Sequence, residues 1–510
     1  MRGRPPRRRD LPRLFRVAQR AASDYSRRVH HPRTTSASSS SPGRLDRFFG
    51  ITARGATVGG EIRGGIVTFV AMAYIVLLNP IILSGGTDVA GNALGFAQVA
   101  ATTALTAGAM TILFGLVARL PFAFAAGLGI NSFLAVSVVG EVTWPEAMGL
   151  VLINGLLIVL LAVTGLRRLI FDAVPMALKT AITVGIGLFI AFIGFVDGGF
   201  VQSTGLASPP VGLGVNGSIA TVPTLLFVLT LVTIAILLAR KVKGAILIGL
   251  AGGTVVAVIV EAIWHLGARA DGNAGGWGLS VPEIPASIFS LPDLSLVGQV
   301  SFGAFDRIGV LAAAMLVFTL LFTNFFDAMG TMTGLSREAN LADERGNFPR
   351  LRSALVVEGI GAVAGGLTSS SSNTVFIESG TGIGEGARTG LANLVTGALF
   401  LLAMFVTPLT TIVPSEVASA ALVAVGALMM SQIRHVDLTD VSVLIPVFLT
   451  ITVMPLTYSI ANGIGAGFVS WVVIRSLSGH ARRISPLLWI VAAGFVVFFV
   501  RGPIEAALAG

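Results

Sequence analysis

Apolar stretches long enough to cross a lipid bilayer follow one another along most of the chain. A helical span needs about 20 mainly apolar residues, and the pattern predicts seven spans before residue 267 and seven more after residue 303. They are expected at 62–84, 97–118, 121–139, 145–163, 174–196, 221–239 and 244–266, and then at 304–334, 352–371, 373–389, 391–412, 416–433, 439–456 and 458–477. A fifteenth apolar piece, 485–500, is short, and the pattern leaves open whether it spans or lies against the bundle.

Seven spans in each half give the two halves opposite orientations in the membrane. Inverted repeats of this kind are typical of secondary transporters, whose sites lie near the midplane and are built by broken helices. The predicted fold is therefore an all-α polytopic membrane protein with a seven-plus-seven inverted repeat. Its expected parts are a tail (1–47), a first repeat (48–266), a connecting loop (267–303), a second repeat (304–483) and a C-terminal apolar segment (484–510).

Two polar breaks interrupt the apolar pattern, in spans 3 and 10. The run Ser369–Gly390 holds glutamates, serines and five glycines, and irregular backbone at membrane depth is tolerated only inside protein or along a watery cavity. Its weaker counterpart is Pro121–Asn131, where Gly127 and Gly129 match Gly380 and Gly382 and Ala125 stands opposite Glu378. Each break predicts an extended stretch, a glycine and a half-helix whose free N–H groups point at the centre.

Ionisable residues within spans are functional candidates by default. Asp327 and Glu378 are the main ones, as substrate-binding and proton-coupling groups, and Asn324 shares a helical face with Asp327. The predicted substrate-binding set also includes polar or small residues at the two breaks. These are Asn131, Ser379, Gly380, Thr381 and Gly129.

Each candidate also has a structural interpretation. Glu378 could cap the helix that follows it, Asp327 could pair with a threonine or an arginine, and Asn131 could make a cap or an interhelical hydrogen bond. Other charged residues are read as structural from the start. Glu385 and Arg388 are expected to form a local ion pair or a gate, Glu358 to snorkel from a span end, and Glu61 and Arg63 to lie at the inner surface.

Composition excludes several classes of protein. The chain has 54% hydrophobic and 12% charged residues, too little charge for a soluble protein. It has no cysteine, five histidines and no HExxH motif, which argues against disulfides, thiolate metal sites and metal enzymes. No large soluble domain is predicted, so an enzyme is not expected, and neither is a cofactor or a metal.

The net charge of +9 comes from the tail, because residues 1–47 hold thirteen arginines and three aspartates. It is therefore no sign of nucleic-acid binding. The tail is predicted to be disordered and to touch anionic lipid from the cytoplasm, with a transit peptide or an early start codon as alternatives. Other basic residues fall in predicted inner loops, which places the N-terminus in the cytoplasm. They are Arg119, Arg167, Arg168, Arg240, Lys241, Lys243, Arg337, Arg345, Arg350, Arg352, Arg388, Arg434, Arg475, Arg482 and Arg483.

Two carboxylates in a low-dielectric cavity hold protons more readily than they do in water. A carboxylate also accepts two N–H donors in one plane. This combination suits a planar solute rich in N–H groups that moves together with protons. It suits an anion poorly, since anion sites need Arg, Lys or bare backbone N–H groups.

Five motifs in register resemble the adenine/guanine/hypoxanthine permease branch of the nucleobase–cation symporter-2 family. They are TFVAMAYIVLLNP (68–80), AGLGIN (126–131), NFFDAMGT (324–331), FIESGTGIGEGARTGL (376–391) and VMPLTYSIANGIGAGF (453–468). The resemblance runs from about residue 48 to 483. It implies proton-coupled, elevator-like import of purine nucleobases across the plasma membrane, with Glu378 gripping the purine and Asp327 and Asn131 completing the site.

The same resemblance implies a core domain (spans 1–4 and 8–11) and a gate domain (spans 5–7 and 12–14), which often forms a homodimer contact. Asn324 departs from the pattern, because many members have an acidic residue there. The Gln-Asn-x-Gly signature of uracil and xanthine permeases is absent after Glu378. A uracil/xanthine-type or anion transporter of the same fold remains the alternative function.

Overall fold

A computed structural model describes residues 43–165, 173–206, 208–215, 217–278, 280–342 and 348–500. Most of the predicted tail, and Arg167, Arg168 and Arg345, lie outside these ranges. The helices of the first half are α1 Arg44–Phe49, α2 Val58–Met72, α3 Ile75–Ser84, α4 Phe96–Val117, α5 Leu128–Phe133, α6 Trp144–Thr164, α7 Met176–Asp197, α8 Val222–Ala239 and α9 Ala245–Trp264. Its strands are β1 Phe124–Ala126, β2 Val201–Ser203 and β3 Val211–Leu213.

The second half repeats this order. Its helices are α10 Ala304–Arg307, α11 Val310–Glu338, α12 Leu351–Leu367, α13 Ser379–Gly384, α14 Gly390–Ala403, α15 Ser415–Met430, α16 Val441–Leu456, α17 Ile460–Arg475 and α18 Pro486–Phe499, and its strand is β4 Asn373–Val375. Short 3-10 or π turns cover Thr52–Arg54, Leu134–Val138, Arg269–Asp271, Met404–Thr410, Ser431–His435, Ser476–His480 and Ala481–Arg483.

The helices agree with the predicted spans. Within the described residues, ten helices are long and apolar enough to cross a membrane. The other four predicted spans are the two broken ones and the helices α12 and α16, of 17 and 16 residues. One prediction was wrong in detail: span 8 begins at Val310, because Ala304–Arg307 forms a separate short helix.

Both broken spans contain the extended stretch that the sequence predicts. Strands β1 and β4 come from opposite halves and pair antiparallel, with Ala125 opposite Thr374. All six strand residues are buried, and the pairing satisfies backbone groups that have no water to bond at this depth. Helices α5 and α13 then lead away from the strand pair, as half-helices do in transporters.

The contacts between helices come in equivalent pairs. In each pair, a helix of one half is replaced by its counterpart from the other half. Helix α4 packs on α14 as α12 packs on α6, and α8 packs on α15 as α16 packs on α7. Helix α7 packs on its own counterpart α15, where Gly187 leaves room for the carbonyl oxygen of Gly426, 2.8 Å from an ideal Cβ. Small residues let such backbones approach closely. The inverted repeat is thus visible in the packing as well as in the chain order.

The sequence alignment of the two breaks is wrong in register, because it is displaced by two residues at the half-helices and by four at the strands. Between strand and helix the first half has one residue, Gly127, and the second has three, Phe376–Glu378. Ala125 therefore lies inside β1, and it is not the structural counterpart of Glu378. The longer turn is what brings a carboxylate to the end of β4.

The C-terminal apolar segment forms α18, which packs against the bundle. The ring of Phe495 contacts Phe318 of α11 and Phe468 of α17 edge-on, at centroid distances of 5.7 and 6.1 Å. A helix of 14 residues is about 21 Å long at 1.5 Å per residue, shorter than the hydrocarbon core of about 30 Å. The segment therefore packs against the bundle, and the alternative that it also spans the membrane stays open.

Candidate functional site

The two half-helices and α11 bring the predicted carboxylates together. Asp327 and Glu378 are both half-buried and close enough for their charges to interact. Asp327 accepts no hydrogen bond from the part of the chain that the structure describes, so neither structural partner suggested for it, a threonine or an arginine, is present there. Beside Glu378, the side chain of Ile377 is 58% exposed. The turn between β4 and α13 is therefore partly exposed, and we refer to the polar surface that Glu378 and Asp327 form there as the pocket.

Glu378 is held from the first span. The hydroxyl of Tyr74 donates to its Oε1 at 2.5 Å, and its Oε2 accepts no hydrogen bond from another described residue. Helix α13 starts directly after Glu378, but the Glu378 side chain makes no capping bond. The capping interpretation is therefore wrong. One carboxylate oxygen is fixed, and the other stays available at the pocket.

Asn131 makes the interhelical hydrogen bond that was one of its two interpretations. Its Nδ2 donates to Oδ1 of Asn79 at 2.5 Å, and the Asn131 side chain is fully buried. Asn79 in turn donates to Thr103 Oγ1 at 2.7 Å and to the carbonyl oxygen of Ser370 at 3.0 Å. In this conformation, Asn131 stabilises the first half-helix and has no surface at the pocket.

The remaining polar candidates form hydrogen bonds that hold the second break in place. Asn324 donates to Ser372 Oγ at 2.8 Å. The hydroxyl of Ser379 accepts from the backbone N–H of Ala123 at 3.0 Å and donates to a carbonyl oxygen one turn back. Thr381 donates to the carbonyl oxygen of Glu378 at 2.7 Å. These side chains shape the site, and the hydroxyl protons of Ser379 and Thr381 already bond carbonyl oxygens within the protein.

The two candidate glycines are explained by close approach. An ideal Cβ on Gly129 would lie 2.5 Å from a methyl carbon of Ile186 on α7, and one on Gly380 would lie 2.7 Å from Oε2 of Glu338. Neither glycine has a positive φ. A side chain at position 129 would therefore press on α7, whereas one at position 380 would require only the end of the flexible Glu338 side chain to move.

The structure overturns the prediction for Glu358. It lies in the middle of α12, is 0% exposed, and neither of its carboxylate oxygens has a hydrogen-bond partner among the described residues. The Thr374 hydroxyl and the Val375 N–H of β4 lie near the Glu358 carboxylate but outside hydrogen-bond geometry, and Asp327 is close enough for electrostatic interaction. A residue that snorkels would reach water, so Glu358 is instead a third carboxylate behind the site.

Comparison with known proteins identifies the family. The sequence model of xanthine/uracil-type permeases, described as "Permease family", matches residues 59–466. This chain belongs to the nucleobase–cation symporter-2 family of permeases. It is 35% identical to the adenine permease AdeP of Escherichia coli, over 92% of this chain and 99% of that protein. It is also 35% identical to the guanine/hypoxanthine permease PbuG of Bacillus subtilis, over 89% and 99%.

Solved structures agree on the fold. The transmembrane domain of the cyanobacterial bicarbonate transporter BicA superposes with a TM-score of 0.55, covering 80% of this chain and 96% of that one, at 16% identity. Such low identity carries the architecture alone. The permease is a multi-pass membrane protein, and family membership confirms the prediction of a transporter over an enzyme.

Charged residues at one end of the permease pair differently from the prediction. Glu385 binds Arg63, with 3.0 Å between Arg63 Nε and Oε2, and also Lys243, whereas the Arg388 guanidinium donates to backbone carbonyls of Ile383 and Ala387. The prediction of a local Glu385–Arg388 ion pair is therefore wrong, because the Arg388 guanidinium instead bonds carbonyl oxygens at the end of α13. The gate interpretation of Glu385 stays open.

Glu61 was also misplaced. Its side chain is fully buried and accepts the backbone N–H groups of Arg388, Thr389 and Ala392 at 2.8, 3.0 and 3.2 Å. These are unpaired donors at the start of α14. Glu61 therefore caps a helix from the opposite half, while Arg63 is exposed as expected.

Sequence reasoning missed three residues that the permease brings to its site: Tyr74, Asn79 and Glu358. Tyr74 and Asn79 lie in the motif that was quoted for its resemblance alone. A signal was available, because Pro80 within an apolar span predicts a distorted helix, and polar groups beside such a break need partners. Glu358 could have been found from its position near the middle of its span.

Proposed function

We propose that this permease is a proton-coupled importer of purine nucleobases: adenine, guanine or hypoxanthine. The observation that carries the proposal is the Glu378 carboxylate, which is fixed by Tyr74 on one oxygen and open to a pocket on the other. A purine presents N–H donors in the plane of its ring, and a carboxylate accepts such donors strongly. The purine permeases among its relatives support the same class of substrate.

Three carboxylates supply the groups for proton coupling. Glu378 and Asp327 line the pocket, and Glu358 lies behind Asp327 without a hydrogen-bond partner among the described residues. A carboxylate that is fully buried beside another acidic group is costly to keep ionised, so Glu358 is proposed to carry a proton in this conformation. Protons passing among these groups as the substrate binds would link the two fluxes. No metal or other cofactor is invoked.

We infer an elevator-type movement of a core domain against a gate domain. The core comprises spans 1–4 and 8–11, and the gate comprises spans 5–7 and 12–14. Contacts such as α4–α14 and α6–α12 lie within the first set, and α7–α15 and α8–α15 lie within the second. Between the sets, Glu385 pairs with Lys243, and such a contact would have to open if the core moves.

The proposed location is the plasma membrane, with the N-terminus in the cytoplasm. Basic residues of several predicted inner loops bond the ends of neighbouring spans at one end of the bundle. Arg54 donates to the carbonyl oxygens of Arg119 and Arg388, and Arg350 donates to that of Val117. This clustering supports a cytoplasmic face. A homodimer through the gate domain is proposed from the family resemblance.

The test is uptake of labelled adenine, guanine and hypoxanthine into cells that lack their own purine permeases. Uptake is measured at pH 6 and pH 8, with and without a protonophore, against uracil, xanthine and bicarbonate. Purine uptake that collapses with the protonophore supports the proposal. Purine uptake that is unchanged by the protonophore contradicts the proposed proton coupling. Transport of only uracil, xanthine or an anion contradicts the proposed substrate class.

A further inference from the structure

The first span reaches both half-helices of the site. Helix α2 ends at Met72 and α3 begins at Ile75, so the regular helix has a short break at Ala73 and Tyr74, although both residues keep right-handed helical φ and ψ angles. From this break Tyr74 bonds Glu378 beside α13, and five residues later Asn79 bonds Asn131 of α5. One short segment therefore contacts a polar residue of each inverted repeat.

We propose that Tyr74 is a positioning residue that fixes the Glu378 carboxylate so that one oxygen is presented to the substrate. The inference rests on the proposed function for the identity of that substrate. Tyr74 is 0% exposed, so its hydroxyl has no water to bond and Glu378 is its hydrogen-bond partner. Burial of both the ring and the hydroxyl leaves the carboxylate one favoured orientation.

The contrast with Asn79 shows why the Tyr74 contact concerns the substrate. Asn79 uses both N–H donors and its carbonyl oxygen on Thr103, Ser370 and Asn131, all inside the protein. Tyr74 instead holds a side chain that is only half-buried and lies next to the exposed Ile377. The Asn79 contact stabilises a half-helix, whereas the Tyr74 contact sets the direction of a group at the pocket.

Positioning has a defined physical benefit. A glutamate side chain that rotates freely must lose that freedom when it binds a ligand, and preorganisation removes this cost. The Tyr74 hydroxyl also bonds one carboxylate oxygen of Glu378. A planar ligand can then bond the other oxygen, which is held in a fixed plane. Loss of the hydroxyl is therefore expected to weaken substrate binding more than it changes the later steps of the cycle.

The test compares Tyr74→Phe, which removes only the hydroxyl, with wild type and with Tyr458→Phe. Tyr458 is the other tyrosine that the structure describes, and its ring packs edge-on against Phe189 and Phe192. For the purine that wild type takes up best, we expect Tyr74→Phe to raise KM by about tenfold or more, the worth of one hydrogen bond to a charged group. The maximal rate should stay within about threefold, and Tyr458→Phe should match wild type.

A spectroscopic readout separates positioning from a structural role. The infrared band of the Glu378 carboxyl group is identified as the band that Glu378→Gln removes from the purified protein. Tyr74→Phe should shift that band, with the thermal midpoint close to that of wild type, and Tyr458→Phe should leave the band in place. An unshifted band, or a lower thermal midpoint with an unchanged KM, overturns the proposal. If wild type transports no purine, the proposed function fails, while the infrared comparison still decides the role of Tyr74.

Discussion

The two broken spans share one architecture and differ in chemistry. Each has a buried three-residue strand and a six-residue half-helix, and the strands pair with each other. The first break carries no charged residue between Phe124 and Gly140, whereas the second has Glu378 before its half-helix and Glu385 after it. The repeat thus supplies a symmetric frame, and under the proposed function the asymmetry of side chains would supply the binding and the coupling.

The largest effect is expected from removing the charge of the second break. Glu378→Gln keeps the shape of the side chain but loses the anion, and charge-assisted bonds to a ligand are about twice as strong as neutral ones. We expect uptake to fall by about a hundredfold or more, with normal membrane insertion. The matched change in the first break is Asn131→Asp. Equal uptake by Glu378→Gln and wild type would contradict the proposal that the charge of the second break binds the substrate.

The other end of the second half-helix allows a test of movement. The chain has no cysteine, so Lys243→Cys with Glu385→Cys gives a single pair for oxidative cross-linking. If the core moves against the gate, the cross-linked protein should lose uptake and regain it after reduction. Lys241→Cys with Glu385→Cys is the control, since among the described residues Glu385 pairs with Lys243 and Arg63 and not with Lys241. Undiminished transport by fully cross-linked protein would rule out the opening of this contact.

Substitution of Glu358, the carboxylate behind the second break, is expected to have a smaller and more selective effect. Glu358→Gln places a neutral group of the same shape in a site where the carboxylate oxygens have no partner among the described residues. We expect normal folding and substrate exchange, but at least a severalfold loss of accumulation against a gradient, because a coupling group is lost. Counterflow and concentrative uptake measured side by side separate these effects. Full accumulation would leave Glu358 without a role in coupling.

The smallest effect is expected at Asn324, which bonds the segment that leads into β4. Asn324→Asp introduces the acidic residue that the family resemblance implies at this position, and Ser372 can reverse its hydrogen bond to accommodate it. The pH profile of uptake or the order of preferred purines should change modestly, with the same expression level. A profile and preference that both match wild type would show that this position is silent.

Local patterns were enough to predict much of this permease. Apolar periodicity and length located the spans, because a bilayer fixes how many apolar residues a helix needs. The count of seven and seven gave the inversion, and glycine-rich polar breaks gave the paired strands and the half-helices. Asp327 and Glu378 stood out because charge within a span is costly and therefore rare.

Only the tertiary structure decided which polar groups meet. Tyr74 and Glu378 are 304 residues apart in the chain, and Glu61 caps a helix 327 or more residues away. Local spacing along the sequence cannot reveal contacts between residues so far apart, since these contacts form where the two repeats pack into each other. The strand register and the burial of Glu358 depend on the same packing. The sequence alone therefore determined the scaffold and its two main carboxylates, and the interlocked repeats determined how those carboxylates are held.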